Sequence, residues 1–356
     1  MSKKELSLSN NINSKVFKVP IKFTKNGQQQ NKDYRLFNQE LITDYCKKNP
    51  EDLGNFELLN FMTYGGNAYI YTALEKQYKK KVIIKMSPRI KGMNNNINEI
   101  IISKKLKNKN IITNYGFCDI KKNEIDCIIM EYGKYGCIID FQKCLKKNFL
   151  TESTFCYFAF QILKGLKYCH MCKIAHLDIK PKNIVIDDSL TAKIIDFSIS
   201  LDYSKIKSEE IKLPMRGTNF YMAPEVLSTK MIKIKDLNKV DLFSLGVTLY
   251  FLAFGKYPFE LSLDDVKDYN TIYKKIMKGI KIENSNYYSK YFIDFLTKLL
   301  EIDINKRINI NEVLNHYWIK GAELLNNEKE NICNNGIFLS YLITDHIKSF
   351  REYIKN

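Results

Sequence analysis

The chain has 356 residues, long enough for two lobes with separate hydrophobic cores or for one domain with extensions. Hydrophobic residues make up 45% and aromatic residues 13% of the chain, which favours a globular protein over a disordered one. The formal net charge of +17 suggests a nucleic-acid partner, but the lysines are spread along the whole chain. We therefore expect a solvated basic surface with some attraction to acidic partners, and no dedicated nucleic-acid site.

Two further features of composition bear on the compartment. The longest apolar run, near Val247–Phe254, falls well short of the ~20 residues that span a bilayer, and the N-terminus has no signal-peptide pattern. Nine cysteines without framework spacing fit a reducing compartment. We expect a monomer without a membrane span in the cytoplasm, with the nucleus as an alternative location.

The predicted elements begin with a basic N-terminal extension, residues 1–50. Val16–Thr24 alternates like an edge strand and Tyr34–Cys46 is a candidate short helix. A docking element and a partly ordered arm are both consistent with this composition.

Strand-like alternation starts at Phe56 and surrounds a turn of small residues. Such residues let backbone N–H groups approach phosphates without a Cβ in the way, although a plain hairpin explains the pattern equally well. The turn and its flanks comprise Thr63, Tyr64, Gly65, Gly66, Asn67, Ala68 and Ile70.

The next apolar strand contains Ile83 and ends in Lys85, and Asn98–Leu106 follows with helical spacing. Glu99 is the acid of its predicted first turn. An unpaired buried lysine is costly, and Glu99 is an available partner for Lys85. A further apolar strand, Cys127–Met130, then runs into Glu131-Tyr132-Gly133.

The most informative segment reads His-Leu-Asp-Ile-Lys-Pro-Lys-Asn, and it follows a predicted buried helix over residues 154–172. Within it, Asp178 can orient a hydroxyl nucleophile and accept its proton, and Lys180 can neutralise a migrating phosphoryl group. Asn183 and the later Asp196 offer hard oxygen ligands for Mg²⁺. Apolar strands follow Asn183 and precede Asp196.

These segments resemble the catalytic loop and metal-binding motif of eukaryotic protein kinases of the Ser/Thr type. The resemblance continues through the segment Gly217–Glu225, which has Thr218 at its family position and ends in Ala223-Pro224-Glu225, and through a helix opening at Asp241 to His316–Ile319. It implies that Asp241 accepts hydrogen bonds from the catalytic-loop backbone and that Arg307 is the partner of Glu225. It covers about residues 55–320. It implies an α+β bilobal fold, with a small, mainly antiparallel β lobe carrying one helix over 51–133 and a larger, mainly helical lobe over 134–320. Residues 321–356 form a tail with a predicted amphipathic helix.

The resemblance also implies roles. ATP and Mg²⁺, with Mn²⁺ as an alternative, are the expected cofactors, and protein Ser or Thr the acceptor. Asp178, Lys180, Lys85 and Glu99 are the catalytic candidates, and Asn183 and Asp196 the metal ligands. One interlobe crevice is expected to gather these groups around the triphosphate. The nucleotide-binding candidates are Thr63, Tyr64, Gly65, Gly66, Asn67, Ala68, Ile70, Ile83, Lys85, Met130, Glu131, Gly133 and Val185.

Several positions depart from the family pattern. Leu177 replaces the Arg before the catalytic Asp, so phosphorylation of Ser204 or Ser208 is expected to matter little. Ser198 replaces the Gly after Asp-Phe, and Ile83 replaces a small Ala. Ser103 and Asn114 place polar groups where the family has apolar ones, and these need partners if buried.

The remaining alternatives concern substrate and activity. Lys182 and Cys137 stand where many basophilic kinases carry acids, which predicts a preference for acidic or phosphate-primed substrates. A pseudokinase that binds nucleotide and acts as a scaffold is the main alternative function. A small-molecule kinase of related fold is disfavoured by the Ala223-Pro224-Glu225 segment.

Overall fold

The computed structural model describes residues 53–65, 68–88, 95–121, 125–145, 150–260, 265, 268–283 and 287–320. The predicted N-terminal extension, the C-terminal tail and the turn residues Gly66 and Asn67 lie outside them. The chain divides into two compact units. The first comprises the residues up to Lys104 together with Thr113–Tyr132, and the second comprises Lys105–Ile112 and the residues from Gly133 onward.

The first unit is an antiparallel sheet with one described helix. The sheet has five strands in the order β1-β2-β3-β5-β4. The strands are Phe56–Gly65 (β1), Ala68–Glu75 (β2), Lys80–Pro88 (β3), Asn114–Lys121 (β4) and Ile125–Glu131 (β5), and the helix is Asn95–Lys105 (α1).

Strict alternation along the central strands separates the two faces of this sheet. Alternate residues point to opposite faces, so one set builds an apolar core and the set between faces the other way. Leu53 closes one end of the core. The core set includes Tyr69, Tyr71, Ala73, Val82, Ile84, Met86, Cys127 and Ile129. The intervening positions of β2, β3 and β5 are therefore available for a site.

Helix α1 starts earlier than its sequence indicated. The predicted start was Asn98, with Glu99 in the first turn, but the helix begins at Asn95 and its first turn carries no acidic residue. Glu99 is the fifth helical residue and lies in the second turn. The asparagines were read as a link because Asn is a weak helix former, yet neither Gly nor Pro interrupts 95–97.

The second unit is mainly helical, with short strand pairs. Its helices are Ile138–Cys144 (α2), Glu152–Met171 (α3), Pro224–Leu227 (α4), Leu237–Phe254 (α5), Tyr269–Met277 (α6), Lys290–Leu299 (α7) and Ile310–Leu314 (α8). The paired strands are Ile174–Ala175 (β6) with Leu201–Asp202 (β9), Ile184–Ile186 (β7) with Ala192–Ile194 (β8), and Glu210–Lys212 (β10) with Met231–Lys233 (β11). The sheet unit and the helical unit together confirm the predicted α+β class.

Helices α3 and α5 form the centre of the second unit. The Thr151 side chain caps α3 by accepting a hydrogen bond from the Thr154 N–H, and most residues of α3 are buried. Helix α5 starts at Leu237, four residues before the predicted opening at Asp241, and ends at Phe254. The capping residue Gly255 follows, and its φ of 70° suits a residue without a Cβ.

Helix α5 with its preceding turn, Ile234–Phe254, is long and apolar enough to cross a membrane by length and composition. However, 72% of its most apolar window is buried inside the protein. Buried Asp241 lies within it. A core helix of a globular unit accounts for these properties. It is the only such helix within the described ranges.

Candidate active site

The first unit contains a buried ion pair between β3 and α1. Lys85 Nζ lies 2.7 Å from Glu99 Oε2, and the two side chains are only 10% and 3% exposed. An ammonium group taken out of water needs such a partner, because desolvation otherwise outweighs any gain from packing. The predicted contact is therefore present, and its role toward phosphates stays a prediction.

Four nucleotide candidates of the first unit, Ala68, Ile70, Ile83 and Met130, share one sheet face with Lys85. Ile70 lies directly opposite Lys85 across β2 and β3, and Ile83 lies opposite Met130 across β3 and β5. Ala68 is two residues before Ile70 and so points the same way. These buried or half-buried side chains form an apolar surface beside Lys85.

Two residues of the first unit, Ser103 and Asn114, are polar where the family pattern has apolar residues. The Ser103 hydroxyl donates to the Ile100 carbonyl at 3.0 Å, one turn back along α1. Asn114 Oδ1 is buried without a hydrogen-bond partner among the described residues. The predicted need for partners is thus met at Ser103 and unmet at one Asn114 atom.

Two further nucleotide candidates, Gly133 and Val185, lie against each other in the second unit, just after the end of β5. A Cβ built on Gly133 would lie 3.1 Å from the Val185 Cβ, so the backbone at Gly133 runs directly over that side chain. The Tyr135 N–H donates to the Ile186 carbonyl at 3.1 Å and fixes this approach. Thr63, Tyr64 and Gly65 lie on β1 and Glu131 at the end of β5.

In the second unit, Asp178 is the centre of a dense hydrogen-bond network. Its Oδ2 accepts from Lys180 Nζ at 2.5 Å and from Asn183 Nδ2 at 2.9 Å. Its Oδ1 accepts from the Thr218 N–H at 2.9 Å, and Lys180 Nζ also donates to Thr218 Oγ1 at 2.6 Å. The carboxylate is 7% exposed. Sequence reasoning placed Asp178, Lys180 and Thr218 in family motifs but did not predict that they touch.

Close packing around this carboxylate requires a glycine. Gly217 has a φ of +115°, and a Cβ there would come within 3.2 Å of Asp178 Oδ1 and of the Leu177 carbonyl. A larger residue would meet both strain and crowding. Gly217 was noted only as part of the motif that ends in Ala223-Pro224-Glu225.

His176, to which the sequence assigned no role, connects Asp178 to the segment around Asp196. Its Nδ1 accepts from the Asp178 N–H at 3.2 Å, and its Nε2 lies 3.0 Å from the Ile195 carbonyl. A backbone N–H can only donate and a carbonyl can only accept, so the ring is neutral with its proton on Nε2. Its ring also meets Phe197 edge to face at 4.9 Å. Its place two residues before Asp178 is the sequence signal that marks it.

Asp241 holds the catalytic-loop backbone, as the resemblance implied. It accepts from the His176 N–H at 2.9 Å and from the Leu177 N–H at 2.7 Å, and His170 Nε2 lies 2.8 Å from Oδ2. Complete burial opposes its ionisation, but the hydrogen bonds from His170 and the loop outweigh burial and lower the pKa of Asp241. The anionic carboxylate thus fixes the loop.

The donor set of Asn183 and Asp196 fits a magnesium ion. Asn183 Nδ2 donates to the Asp178 carbonyl at 2.8 Å as well as to its carboxylate, which leaves the amide oxygen as the donor atom for a cation. The Asn183 carbonyl accepts from the Ile195 N–H at 3.0 Å, one residue before Asp196. No cluster of three His, Cys, Asp or Glu with metal-binding geometry occurs among the described residues. Mg²⁺ commonly takes only one or two carboxylates plus phosphates and water.

A second buried ion pair lies behind the segment that ends in Ala223-Pro224-Glu225. Arg307 NH1 and NH2 lie 2.7 and 3.0 Å from the two Glu225 carboxylate oxygens. Arg307 is 1% exposed and its guanidinium lies 4.8 Å from the Phe243 ring centroid. The predicted Glu225–Arg307 contact is confirmed.

Comparison with known proteins identifies the class. Residues 56–319 match the protein kinase domain family. The match covers most of the chain and all of the groups described above, and the chain belongs to this family.

The similar curated proteins are protein kinases by name, and many of them are named as serine/threonine-protein kinases. They include CBL-interacting serine/threonine-protein kinase 14 of Arabidopsis thaliana, 31% identical over 75% of this chain and 58% of that protein. Serine/threonine-protein kinase SAPK7 of Oryza sativa subsp. japonica is 34% identical over 74% of this chain and 71% of its own length. Calcium-dependent protein kinase 5 of Plasmodium berghei is 29% identical over 78% and 48%. The chain spans only about half the length of several of these relatives.

Proposed function

We propose that the chain is an active protein serine/threonine kinase that transfers the ATP γ-phosphoryl group to protein hydroxyls with Mg²⁺. The observation that carries this proposal is the Asp178 network, in which one carboxylate holds Lys180 and Asn183 together. A structural role alone does not require a lysine, an amide and a threonine N–H to converge on a single carboxylate.

The chain's own residues would act as follows. Asp178 accepts the proton of the substrate hydroxyl and orients its oxygen, and Lys180 lies between Asp178 and Thr218, positioned to offset negative charge on the transferred group. Lys85, held by Glu99, binds the phosphates of ATP. Bound through Asn183 and Asp196, Mg²⁺ supplies charge neutralisation at the phosphates.

Serine or threonine as the acceptor is supported by two observations. Lys180, two residues after Asp178, donates to the Thr218 hydroxyl at 2.6 Å. Many of the similar curated proteins are named as serine/threonine-protein kinases. Both support the proposed acceptor class.

The test uses the full chain with labelled ATP, Mg²⁺ and generic acceptor proteins, beside Asp196→Asn. We expect incorporation of label on serine or threonine by the wild type and its loss in the variant, because the amide removes the anionic metal ligand. Nucleotide binding without transfer by the wild type would instead support the pseudokinase alternative. Thr63, Ile83 and Ser198 are the departures that favour that alternative.

For substrate preference, we propose acidic or phosphate-primed sequences. Cys137 Sγ donates to Asp140 Oδ2 at 2.9 Å, and burial together with this contact raises the pKa of the thiol, so it carries no negative charge. Lys182 adds a positive charge within the catalytic loop. A peptide array that favours arginine upstream of the acceptor would refute this preference, and Lys182→Glu is expected to shift selection toward basic peptides.

A further inference from the structure

Helix α1 ends on a lysine that forms an ion pair with a residue far along the chain. Lys105 Nζ contacts Asp202 Oδ2, and the two side chains are 41% and 20% exposed. Both residues belong to the second unit. The helix dipole favours a positive residue in the last turn wherever its side chain points, so it accounts for the position of Lys105 but not for its partner.

Asp202 is a fixed and ionised partner for this lysine. It lies in β9 opposite Ile174 of β6, the strand that runs directly into the catalytic loop. Its Oδ1 accepts from the Ser204 N–H at 3.0 Å and from the Ser204 hydroxyl at 2.6 Å. Partial burial raises the pKa of Asp202, but the hydrogen bonds from Lys105 and Ser204 outweigh burial and lower it. Asp202 is therefore an anion at neutral pH.

The burial pattern of α1 indicates why a contact at its end matters. Ile97 and Ile101, one turn apart, are each 50% exposed, whereas Ile102 is fully buried. The helix thus packs along a narrow side only, and an element with few buried contacts is displaced at low cost. Glu99, which pairs with Lys85, lies in the same helix. A displaced α1 would separate Glu99 from Lys85.

We propose that Asp202 is a positioning residue, whose carboxylate holds the last residue of α1 through Lys105 and thereby keeps Glu99 against Lys85. No phosphate on the segment after Asp196 is needed for this contact. A built-in carboxylate supplies the negative charge that a phosphate brings where an arginine precedes the catalytic Asp, a position occupied here by Leu177. The effect on catalysis rests on the proposed kinase function, but the contact itself can be tested without phosphate transfer.

Hydrogen exchange of the α1 amides, followed by mass spectrometry on the full chain, tests the contact. Asp202→Asn is expected to raise exchange across residues 99–105 about two- to fivefold, the range that a partly exposed ion pair supplies. Glu283→Gln removes the carboxylate of another exposed ion pair, with Lys256, and is expected to leave α1 unchanged. Unaltered α1 exchange in Asp202→Asn would overturn the proposal.

A double-mutant cycle shows whether the two side chains act together. Lys105→Met keeps the apolar stem of the lysine and is expected to raise α1 exchange as much as Asp202→Asn. The variant Lys105→Met/Asp202→Asn is expected to exchange no faster than either single variant, because both remove the same contact. Effects that multiply in the double variant would show that the residues act separately and would overturn the proposal. Trp318 fluorescence verifies that each variant is folded.

Steady-state kinetics test the consequence for the site. In the proposed mechanism Lys85 binds the phosphates of ATP, so Asp202→Asn is expected to raise KM for ATP by about the same factor as α1 exchange. Asp202→Glu keeps the anion and is expected to remain near the wild type. Faster α1 exchange with an unaltered KM would overturn the positioning role and leave the kinase function standing. A wild type that transfers no phosphate would refute the kinase function, and the exchange results alone would then decide the contact.

Discussion

Replacing Arg307 by methionine is expected to destabilise the second unit strongly. Its guanidinium makes two hydrogen bonds to Glu225 and three to backbone carbonyls, of Lys239, Glu301 and Ile302. Methionine keeps part of the volume but leaves the Glu225 carboxylate buried without its cation. Breaking a buried pair from one side costs about 3–5 kcal/mol.

The magnitude converts into a measurable shift. For a domain of this size, each kcal/mol lowers Tm by about 2–4 °C, so Arg307→Met is expected to melt about 6–20 °C below the wild type. The chain has one tryptophan, Trp318, which is fully buried in the same unit. Its fluorescence therefore reports the unfolding of this unit specifically.

Two further variants isolate the cause. Arg307→Met/Glu225→Leu removes both charges and is expected to be more stable than the sum of the single variants predicts. Lys256→Met breaks an exposed pair with Glu283, whose partners are 56% and 46% exposed, and is expected to leave Tm unchanged. The reasoning would be refuted if the stability losses of the two single variants add up strictly in the double variant. A decrease in Tm of less than about 2 °C for Arg307→Met would refute it as well.

The other predictions concern the catalytic loop. Asp178→Asn is expected to lower kcat by roughly 10²–10⁴, measured by phosphate transfer under conditions where Trp318 fluorescence verifies that the variant is folded. Ser204→Ala/Ser208→Ala is expected to retain comparable activity, and a hundredfold loss would count against the role given to Leu177. The pKa of Asp241 is lower in the folded chain than its unfolded value of about 3.9, so the ionised carboxylate stabilises the fold at any pH above that value. This contribution is lost as the pH falls through the lower folded pKa. Urea titrations should therefore show that the unfolding free energies of the wild type and Asp241→Asn converge below about pH 4. A difference in unfolding free energy that stays constant down to pH 2 would contradict this.

The sequence predicted those features that depend on local pattern. Runs of apolar residues located β3, β5, β7 and β8 because buried strands need them. The start of α1 was missed because three asparagines outweighed the absence of a helix breaker. Local pattern is thus a good guide to an element's type and a poor one to its first residue.

Contacts between distant segments were accessible only through motif resemblance. The contacts of Asp241 with the catalytic-loop backbone join residues 64 and 65 positions apart, and the Lys180–Thr218 contact spans 38. No periodicity encodes such a separation, so the resemblance supplied the Asp241 contacts and the structure supplied that of Thr218. The roles assigned to the turn at Gly66 and Asn67 stay predictions, since these residues lie outside the described ranges.

The replacement of arginine by Leu177 leaves the catalytic loop organised. Leu177 has a φ of +67°, a conformation that costs a non-glycine residue on the order of 1–3 kcal/mol and persists only when its surroundings hold it. Its N–H is held by Asp241 and the next N–H by His176 Nδ1. Both restraints act on backbone atoms, so they are independent of the side chain at position 177. The backbone at Asp178 is therefore held in the absence of the arginine. The choice between kinase and pseudokinase depends on whether the chain binds nucleotide and Mg²⁺ productively, and Ile83 and Ser198 are the residues to vary.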